Sequence, residues 1–264
     1  GRHCDGRRGH PRKAAAGVTE LTGKRAIITA DRFIKAGPNV AVCDIDQATV
    51  DDFNHQFPQA RAIICDVANS AAVDAAFAEM SEALGGVDIL VNNAGSAGPT
   101  AGIEDIDPEN WQRTLDINLF SQFLFTRAVV PGMKAQKSGV IVNMSSAAGR
   151  LGMPMRTPYV AAKWATIGLT QSLAMELGAF NIRVNAILPG SVRGDRMDRV
   201  MRARAEATGL SLDEVEAEET AAISLGRMIK PEEIADMITF ISSDLGVSIS
   251  GQSIGVCGNI EVLR

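Results

Sequence analysis

The chain has 264 residues, of which 46% are hydrophobic and 22% are charged, and its net charge is −5. This composition excludes a disordered polymer and provides enough apolar side chains for one large α/β domain. Acidic and basic residues are mixed along the chain, so we expect neither nucleic acid nor an anionic membrane surface as a partner.

Targeting signals and cysteine usage favour a cytoplasmic protein. Residues 1–20 begin with a basic stretch that lacks the apolar core of a secretory signal, and we interpret them as a disordered leader or an expression remnant. A mitochondrial transit peptide is the less favoured alternative. No apolar run reaches the roughly 18 residues of a membrane span. No C-x-x-C pair is present, so we expect no metal site and no disulfide among the cysteines, which are Cys4, Cys43, Cys65 and Cys257.

Seven short apolar runs alternate with longer helical patterns. The runs are rich in Val and Ile without polar alternation, which is typical of strands buried on both faces. They are Arg25–Thr29, Asn39–Cys43, Ala62–Cys65, Val87–Val91, Val140–Asn143, Ile182–Ile187 and Gln252–Val256. The alternation predicts a Rossmann-like, doubly wound parallel sheet of seven strands with helices on both faces, in a single domain over residues 21–264. Ligands of such sheets bind beyond the carboxyl ends of the strands.

Three helices have clear end signals. Ser70 is the expected N-cap of the first, which ends before a pair of glycines. Asp107 precedes a proline in the first turn of the second, and Gly178 closes the third. The predicted ranges are Ser70–Leu84, Pro108–Gln136 and Pro158–Leu177.

The link between the first two strands departs from this pattern. It has nine residues, 30–38, whereas a parallel crossover needs about a dozen or more. The Gly-rich phosphate turn expected after a first strand is missing near residues 29–31. Either the gene has lost this piece, or the protein contains residues that this sequence omits. We favour the second explanation and expect a break in the chain at this point.

Tyr159 and Lys163 form the most informative pair. They are separated by four residues on one predicted helix, hence on one face of it. A phenol has a pKa of about 10, and a nearby ammonium favours its ionised form. The pair is therefore a candidate proton donor and acceptor for an alcohol. By itself this spacing is common by chance.

Further polar residues follow the predicted strands. Asn92-Asn93-Ala94-Gly95 follows the fourth strand, Ser146 follows the fifth, and Asn118 lies inside the long helix between them. With Pro189-Gly190, and with Tyr159 and Lys163 further along the chain, these pieces stand in the order and spacing of the short-chain dehydrogenase/reductase family. The chain resembles that family over about Leu21 to Asn259.

The resemblance implies catalytic roles for four residues. Tyr159 resembles the acid/base, and Lys163 resembles its partner, which also binds the nicotinamide ribose. Ser146 resembles the residue that polarises the substrate carbonyl, with Ser145 less favoured by its spacing. Asn118 resembles the asparagine that holds a water in the proton relay.

The resemblance also implies the cofactor contacts. Carboxylate oxygens of Asp44, at the end of the second strand, suit the ribose hydroxyls of NAD and repel the extra phosphate of NADP, so we expect NAD. Two positions depart from the family pattern: Cys257 stands where an aspartate is common, and the segment Pro189–Gly194 has a glycine where many relatives place a threonine on the cofactor's amide. Asp66 can instead be a simple turn cap. The implied contacts are Asp44, Asp66, Val67, Asn93, Ala94, Gly95, Tyr159, Lys163, Pro189, Gly190 and Val192.

The expected function is hydride transfer between NAD and a secondary alcohol or ketone, with no metal. A sugar, a polyol, a steroid-like alcohol or a 3-oxoacyl thioester stays open as substrate, and Arg193 to about Leu225 is the expected helical lid. A non-catalytic relative without its phosphate turn, and a lyase or epimerase with bound NAD, are the alternatives. The family suggests a homotetramer or dimer paired through Pro108–Gln136 and Pro158–Leu177.

Overall fold

The computed structural model describes residues 21, 23–29 and 39–260. Seven parallel strands form one sheet in the order β3-β2-β1-β4-β5-β6-β7, which confirms the Rossmann-like fold and its single domain. The register places Arg25 opposite Asn39, and Asn92 opposite Asn143. The strands are β1 (Arg25–Thr29), β2 (Asn39–Asp44), β3 (Arg61–Ile64), β4 (Ile89–Asn92), β5 (Gly139–Met144), β6 (Ile182–Pro189) and β7 (Ser253–Val256).

Helices follow the strands, and the expected long helix is divided. A π-helical turn, Asp116–Phe120 (the π-turn), interrupts it. The helices are α1 (Gln47–Gln56), α2 (Ser70–Leu84), α3 (Pro108–Leu115), α4 (Ser121–Gln136), α5 (Thr157–Leu177), α6 (Asp195–Thr208), α7 (Leu212–Ala221) and α8 (Pro231–Ser242).

Capping explains two of the helix starts. Asp107 caps α3 as predicted, since its carboxylate accepts from the backbone N–H of Glu109. The prediction of Ser70 as a cap was wrong. The side chain of Asn69 accepts from the backbone N–H of Ala72, so Asn69 is the cap and Ser70 is the first helical residue.

Alternate strand residues face two separate cores. Ile27 belongs to the core on one face, which α2, α4 and α5 cover with side chains such as Met80 and Phe125. Ile28 belongs to the core on the other face, which α1 and α8 cover. Burying each large apolar side chain contributes about 1.5–3 kcal/mol, so both faces of the sheet are stabilised. In doubly wound sheets of this kind, ligands bind beyond the carboxyl ends of the strands.

Several expectations fall on residues that the structure does not describe. The leader, residues 1–20, lies outside the described part, and so does the expected break within residues 30–38. What is described at that point is the pairing of β1 with β2, parallel and adjacent.

Cys43 and Cys65 are buried free thiols in the same core cluster. A hydrogen bond to Cys65, together with burial, raises the pKa of the Cys43 thiol. Among the described residues, no group of three or more histidines, cysteines or carboxylates is placed to hold a metal. In the same part of the chain, no helix is long and apolar enough to cross a membrane.

Candidate active site

Lys163 and Tyr159 lie together on the first turns of α5. The helix starts beside Pro158, whose fixed backbone suits a first turn. The Lys163 side chain is buried, with 4% of the residue exposed, and its Nζ donates to the carbonyl oxygen of Met144 at 2.9 Å. The same Nζ lies 5.5 Å from the centre of the Tyr159 ring. A positive charge is therefore fixed beside the phenol.

A second cation, Arg156, contacts the same ring. Its guanidinium carbon lies 5.5 Å from the centre of the Tyr159 ring. Its Nη2 donates to the carbonyl oxygen of Ala97 at 2.6 Å, which ties the loop before α5 to the loop after β4. Arg156 was not among the site residues predicted from the sequence.

The two serines after β5 have different environments. Ser145 is buried, and its Oγ donates to the carbonyl oxygen of Lys163 at 2.7 Å, so it ties the strand to α5. Ser146 is half-buried, and its Oγ accepts from the backbone N–H of Ala148 at 3.2 Å. It begins the short 3-10 turn Ala147–Gly149, which packs against α5. Ser146 is thus the more accessible of the two serines.

Asn118 lies in the π-turn and is fully buried. Its Nδ2 donates to the carbonyl oxygens of Ser96 and Thr114, at 3.0 and 2.9 Å. Its Oδ1 has no hydrogen-bond partner. A buried acceptor left in this state costs free energy, so such atoms usually meet a water or a ligand.

Gly95 keeps open the space beside that oxygen. A Cβ at this position would lie 3.1 Å from Asn118 Oδ1 and 3.7 Å from Lys163 Nζ. The amide oxygen and the ammonium therefore flank one small space. A water in this space would have both an acceptor and a donor within reach.

Thr29, at the end of β1, holds the segment that contains Gly95. Its Oγ1 accepts from the backbone N–H groups of Asn93 and Ala94, each at 2.8 Å. Asn92 faces the interior instead, and its Nδ2 donates to the Oδ1 of Asn143 at 2.9 Å. Sequence reasoning missed Thr29. A hydroxyl at the end of an otherwise apolar strand was the available signal.

Asp44 and Asp66 lie at the ends of β2 and β3. The Oδ1 of Asp44 accepts from the backbone N–H of Asp46 at 3.0 Å. Asp66 accepts from the backbone N–H of Ala68 at 3.0 Å and pairs with Arg113 at 3.1 Å. Asp66 is thus a turn cap and an ion-pair partner, and Arg113 was not anticipated. Val67, next in the chain, is buried in the core.

The loop after β6 has little free space. The backbone N–H of Gly190 donates to the carbonyl oxygen of Val256 at 3.1 Å, and a Cβ there would lie 2.8 Å from the Cβ of Cys257. A side chain at position 190 would therefore collide with the backbone and Cβ of Cys257. Val192 pairs with Ile229 in a short parallel bridge.

The helices α6 and α7 follow this loop and are tied back to it. Ser191 Oγ donates to Glu219 Oε1 at 2.6 Å, and Arg193 pairs with Glu216. The hydrogen bond that Arg193 donates to Glu216 raises the pKa of the Arg193 guanidinium. The expected lid region is thus helical, with two polar contacts at its base.

Comparison with known proteins gives the family. A family model described as Enoyl-(Acyl carrier protein) reductase matches residues 26–258. A 3alpha-hydroxysteroid dehydrogenase from Mediterraneibacter gnavus is 37% identical over 233 residues, which cover 86% of this chain and 88% of the relative. The chain belongs to the short-chain dehydrogenase/reductase family. The resemblance drawn from the motifs is confirmed.

Solved structures of this short-chain dehydrogenase/reductase fold include complexes with both nicotinamide cofactors. A variant of actinorhodin polyketide ketoreductase with NADPH is 29% identical, has a TM-score of 0.84, and the match covers 90% of this chain and 97% of the other. NAD+-bound xylitol dehydrogenase is 27% identical, has a TM-score of 0.83, and the match covers 90% and 98%. These relatives support an NAD(P)-dependent oxidoreductase.

The strand order separates the expected cofactor contacts of this family member into two groups. Asp44 and Asp66 end strands on one side of β1, whereas Gly95, Lys163 and Gly190 lie at or beside the ends of β4, β5 and β6 on the other side. A dinucleotide lying across the strand ends would place its adenine over the first group and its nicotinamide over the second.

The residues present fit a nicotinamide at that end of the sheet. The open space at Gly95, the unpartnered Asn118 Oδ1 and the buried ammonium of Lys163 converge there. At the adenine end the fit is looser, because the carboxylate of Asp66 already bonds to Arg113. The Gly-rich turn expected to contact the pyrophosphate is missing from the sequence near residues 29–31, and residues 30–38 lie outside the described part.

Proposed function

We propose that the protein is a catalytic short-chain dehydrogenase/reductase that acts on a secondary alcohol or the matching ketone. One observation carries the proposal: the buried ammonium of Lys163 lies beside the Tyr159 ring and, with Asn118 Oδ1, flanks the space at Gly95. A site without turnover has no need of a buried cation and an unpaired amide oxygen, since each costs free energy to bury.

The roles proposed for the side chains follow from this arrangement. When bound, the nicotinamide cofactor exchanges a hydride with the substrate carbon. Ser146, at the mouth of the site, donates a hydrogen bond to the substrate oxygen. Tyr159 exchanges a proton with that oxygen, as a positioned general acid or base does. Lys163 holds the phenol in its electrostatic field, and a water between Lys163 and Asn118 passes the proton onward.

We propose NAD as the preferred cofactor. The carboxylate of Asp44 ends β2, where it would accept hydrogen bonds from both ribose hydroxyls and repel a phosphate in their place. The next four residues, Ile45 to Ala48, contain no arginine or lysine. The proposed adenosine contacts are Asp66, Val67, Asn93, Ala94 and Gly95, and the proposed nicotinamide contacts are Tyr159, Lys163, Pro189, Gly190 and Val192.

Two further features belong to the proposal. Large apolar side chains are exposed on the π-turn, α4 and α5, and we propose that they pair subunits in a homotetramer or dimer; they are Phe120, Phe123, Trp164 and Met175. The free thiols of Cys43 and Cys65 favour a reducing compartment, the cytoplasm.

A 3-oxoacyl thioester reductase is the alternative within the same chemistry. The similarity to a polyketide ketoreductase favours it. The site itself suits either substrate, because the same Ser146 and Tyr159 would bind a ketone of any origin.

A non-catalytic relative is the second candidate. It is favoured by the link of nine residues between two adjacent parallel strands, β1 and β2. A link of this length is too short for a crossover helix together with the turns on either side of it. The Gly-rich turn that normally begins such a crossover supplies the N–H groups that bind a pyrophosphate.

Intact mass separates the two candidates first. If the measured mass exceeds 27.9 kDa by the mass of about ten residues, the protein contains a full crossover between β1 and β2, and the catalytic proposal stands. A mass that matches would favour the non-catalytic relative. Turnover is then measured with NAD and NADP on xylitol, a 3-hydroxysteroid and cyclohexanol, and with NADH and NADPH on the N-acetylcysteamine thioester of 3-oxobutyrate.

The Tyr159→Phe variant tests the assigned chemistry. We expect it to abolish turnover and to keep the thermal midpoint of the wild type, because only the phenolic oxygen is removed. Retained turnover in this variant would remove Tyr159 from the catalytic role.

A further inference from the structure

Gln122 is a buried polar residue that the catalytic roles above do not use. It lies in the first turn of α4, with 1% of its surface exposed. Its Nε2 donates to the carbonyl oxygen of Asn118 at 3.0 Å and to that of Met144 at 3.2 Å. A carboxamide nitrogen has two N–H donors, so both donors are used.

These two carbonyls belong to the elements that carry the proton-transfer groups. The Asn118 carbonyl lies in the π-turn, where the backbone N–H of Ser121 reaches back five residues to Asp116. Such turns loosen the helical hydrogen-bond ladder. The Met144 carbonyl ends β5 and also accepts from Lys163 Nζ, at 2.9 Å. Gln122 thus joins the π-turn to the carbonyl that holds the lysine.

The orientation of the amide group is fixed by its surroundings. If the group were flipped, its oxygen would face two carbonyl oxygens, which no proton could bridge. In the observed orientation the Gln122 Oε1 is buried without a partner. An apolar side chain of similar length would fill this position without that cost. The two donated bonds are what the glutamine adds.

We propose that Gln122 is a positioning residue that fixes Asn118 and Lys163 relative to each other. Asn118 Oδ1 and Lys163 Nζ flank one space at Gly95. A water that bridges them must lie within hydrogen-bond distance of both atoms at the same time. With Gln122, the π-turn and the end of β5 move as one unit. Without it, each group keeps its other contacts, but the distance between them is no longer held. The inference rests on the proposed function, since it assigns a role within the same proton relay.

The test compares Gln122→Met with the wild type and with a matched control. Methionine has the same length and no donor. Ser121→Ala is the control, because Ser121 is also buried and its Oγ donates at 2.6 Å to the carbonyl of Ile117 in the same turn, away from Met144. Each protein is assayed with the fastest substrate of the panel above, in H2O and in D2O.

In Gln122→Met we expect kcat to fall by about tenfold or more, a part of the 10²–10⁴-fold that positioned proton transfer contributes. We expect the KM values for substrate and for cofactor to stay within about twofold of the wild-type values, because no binding contact is removed. The solvent isotope effect on kcat should increase, since proton transfer becomes slower relative to the other steps. Ser121→Ala should keep the wild-type values.

The isotope effect separates positioning from a purely structural role. Loss of folded protein lowers the apparent kcat, but it leaves a ratio of rates in two solvents unchanged. An isotope effect in Gln122→Met equal to that of the wild type would overturn the inference while leaving the proposed function intact. A wild type without turnover on the whole panel would overturn both. If Gln122→Met does not fold, Gln122→Asn, which retains the amide but is too short to reach both carbonyls, gives the same comparison.

Discussion

Replacing Thr29 by valine tests how the segment after β4 is held. Valine has nearly the shape of threonine, so the apolar packing at this buried position is kept. The hydroxyl oxygen is lost, and with it the acceptor for the backbone N–H groups of Asn93 and Ala94, each now at 2.8 Å.

The magnitude follows from the number of hydrogen bonds lost. A typical hydrogen bond within a protein contributes about 0.5–1.5 kcal/mol to stability. Asn93 and Ala94 are half-buried, and the middle of that range applies to each bond. Two bonds then give a loss of about 2 kcal/mol in the free energy of unfolding. With a urea m-value of roughly 2.5 kcal/mol/M, the unfolding midpoint should fall by about 0.8 M.

Urea unfolding and hydrogen exchange measure the two parts of this prediction. Exchange of the backbone amides of Asn93 and Ala94 should be faster in Thr29→Val, and the midpoint lower. Thr29→Ser keeps the hydroxyl and should preserve the protection of both amides. The reasoning is refuted if Thr29→Val unfolds at the wild-type midpoint with unchanged exchange at these positions.

Two other predictions concern the site and its support. Gly95→Ala should lower kcat by at least about tenfold, a part of what positioned proton transfer contributes, because the added Cβ would fill the space beside Asn118 Oδ1. Gly168→Ala is the control, because a Cβ at position 168 would have no atom within 4 Å. Equal kcat values for the two variants would contradict the assignment. Hydrogen bonds from the Arg25 side chain and backbone lower the pKa of Asp88, so this pair stabilises the fold above the ordinary carboxyl pKa and loses its effect as the pH falls below about 4. Urea midpoints from pH 6 to pH 3 should fall less steeply in Asp88→Asn than in the wild type, and parallel curves would argue against this contribution.

The fold could be predicted because its strands are buried on both faces. Arg25–Thr29 was found with the predicted limits, since the apolar run and the buried strand coincide. Helices with few buried residues left weaker signals. In α1 only Val50 and Phe53 are buried, too few to define a helical period. The π-turn within the predicted helix Pro108–Gln136 left no signal, because an extra residue in a turn does not change the residue types around it.

The candidate site was predictable where its residues are close in sequence. The spacing of Tyr159 and Lys163 places both on one helix face in any structure. The hydroxyl of Thr29 was missed because its partners lie more than sixty residues away, just after a strand that is its neighbour only in the folded sheet. For the same reason the pairing of Asp66 with Arg113 was not foreseen. Residue types indicate what a group can do, whereas its partner depends on the tertiary structure.

Tyr159, which lies between the charges of Arg156 and Lys163, is the only tyrosine in the sequence. Protein grown with isotopically labelled tyrosine would therefore give a single ring system in its NMR spectrum, already assigned by composition. The resonance of the Tyr159 ring would report on the proposed site even when no substrate is present. Changes in that resonance on adding NAD, NADP or a candidate alcohol would detect binding before a productive reaction is known.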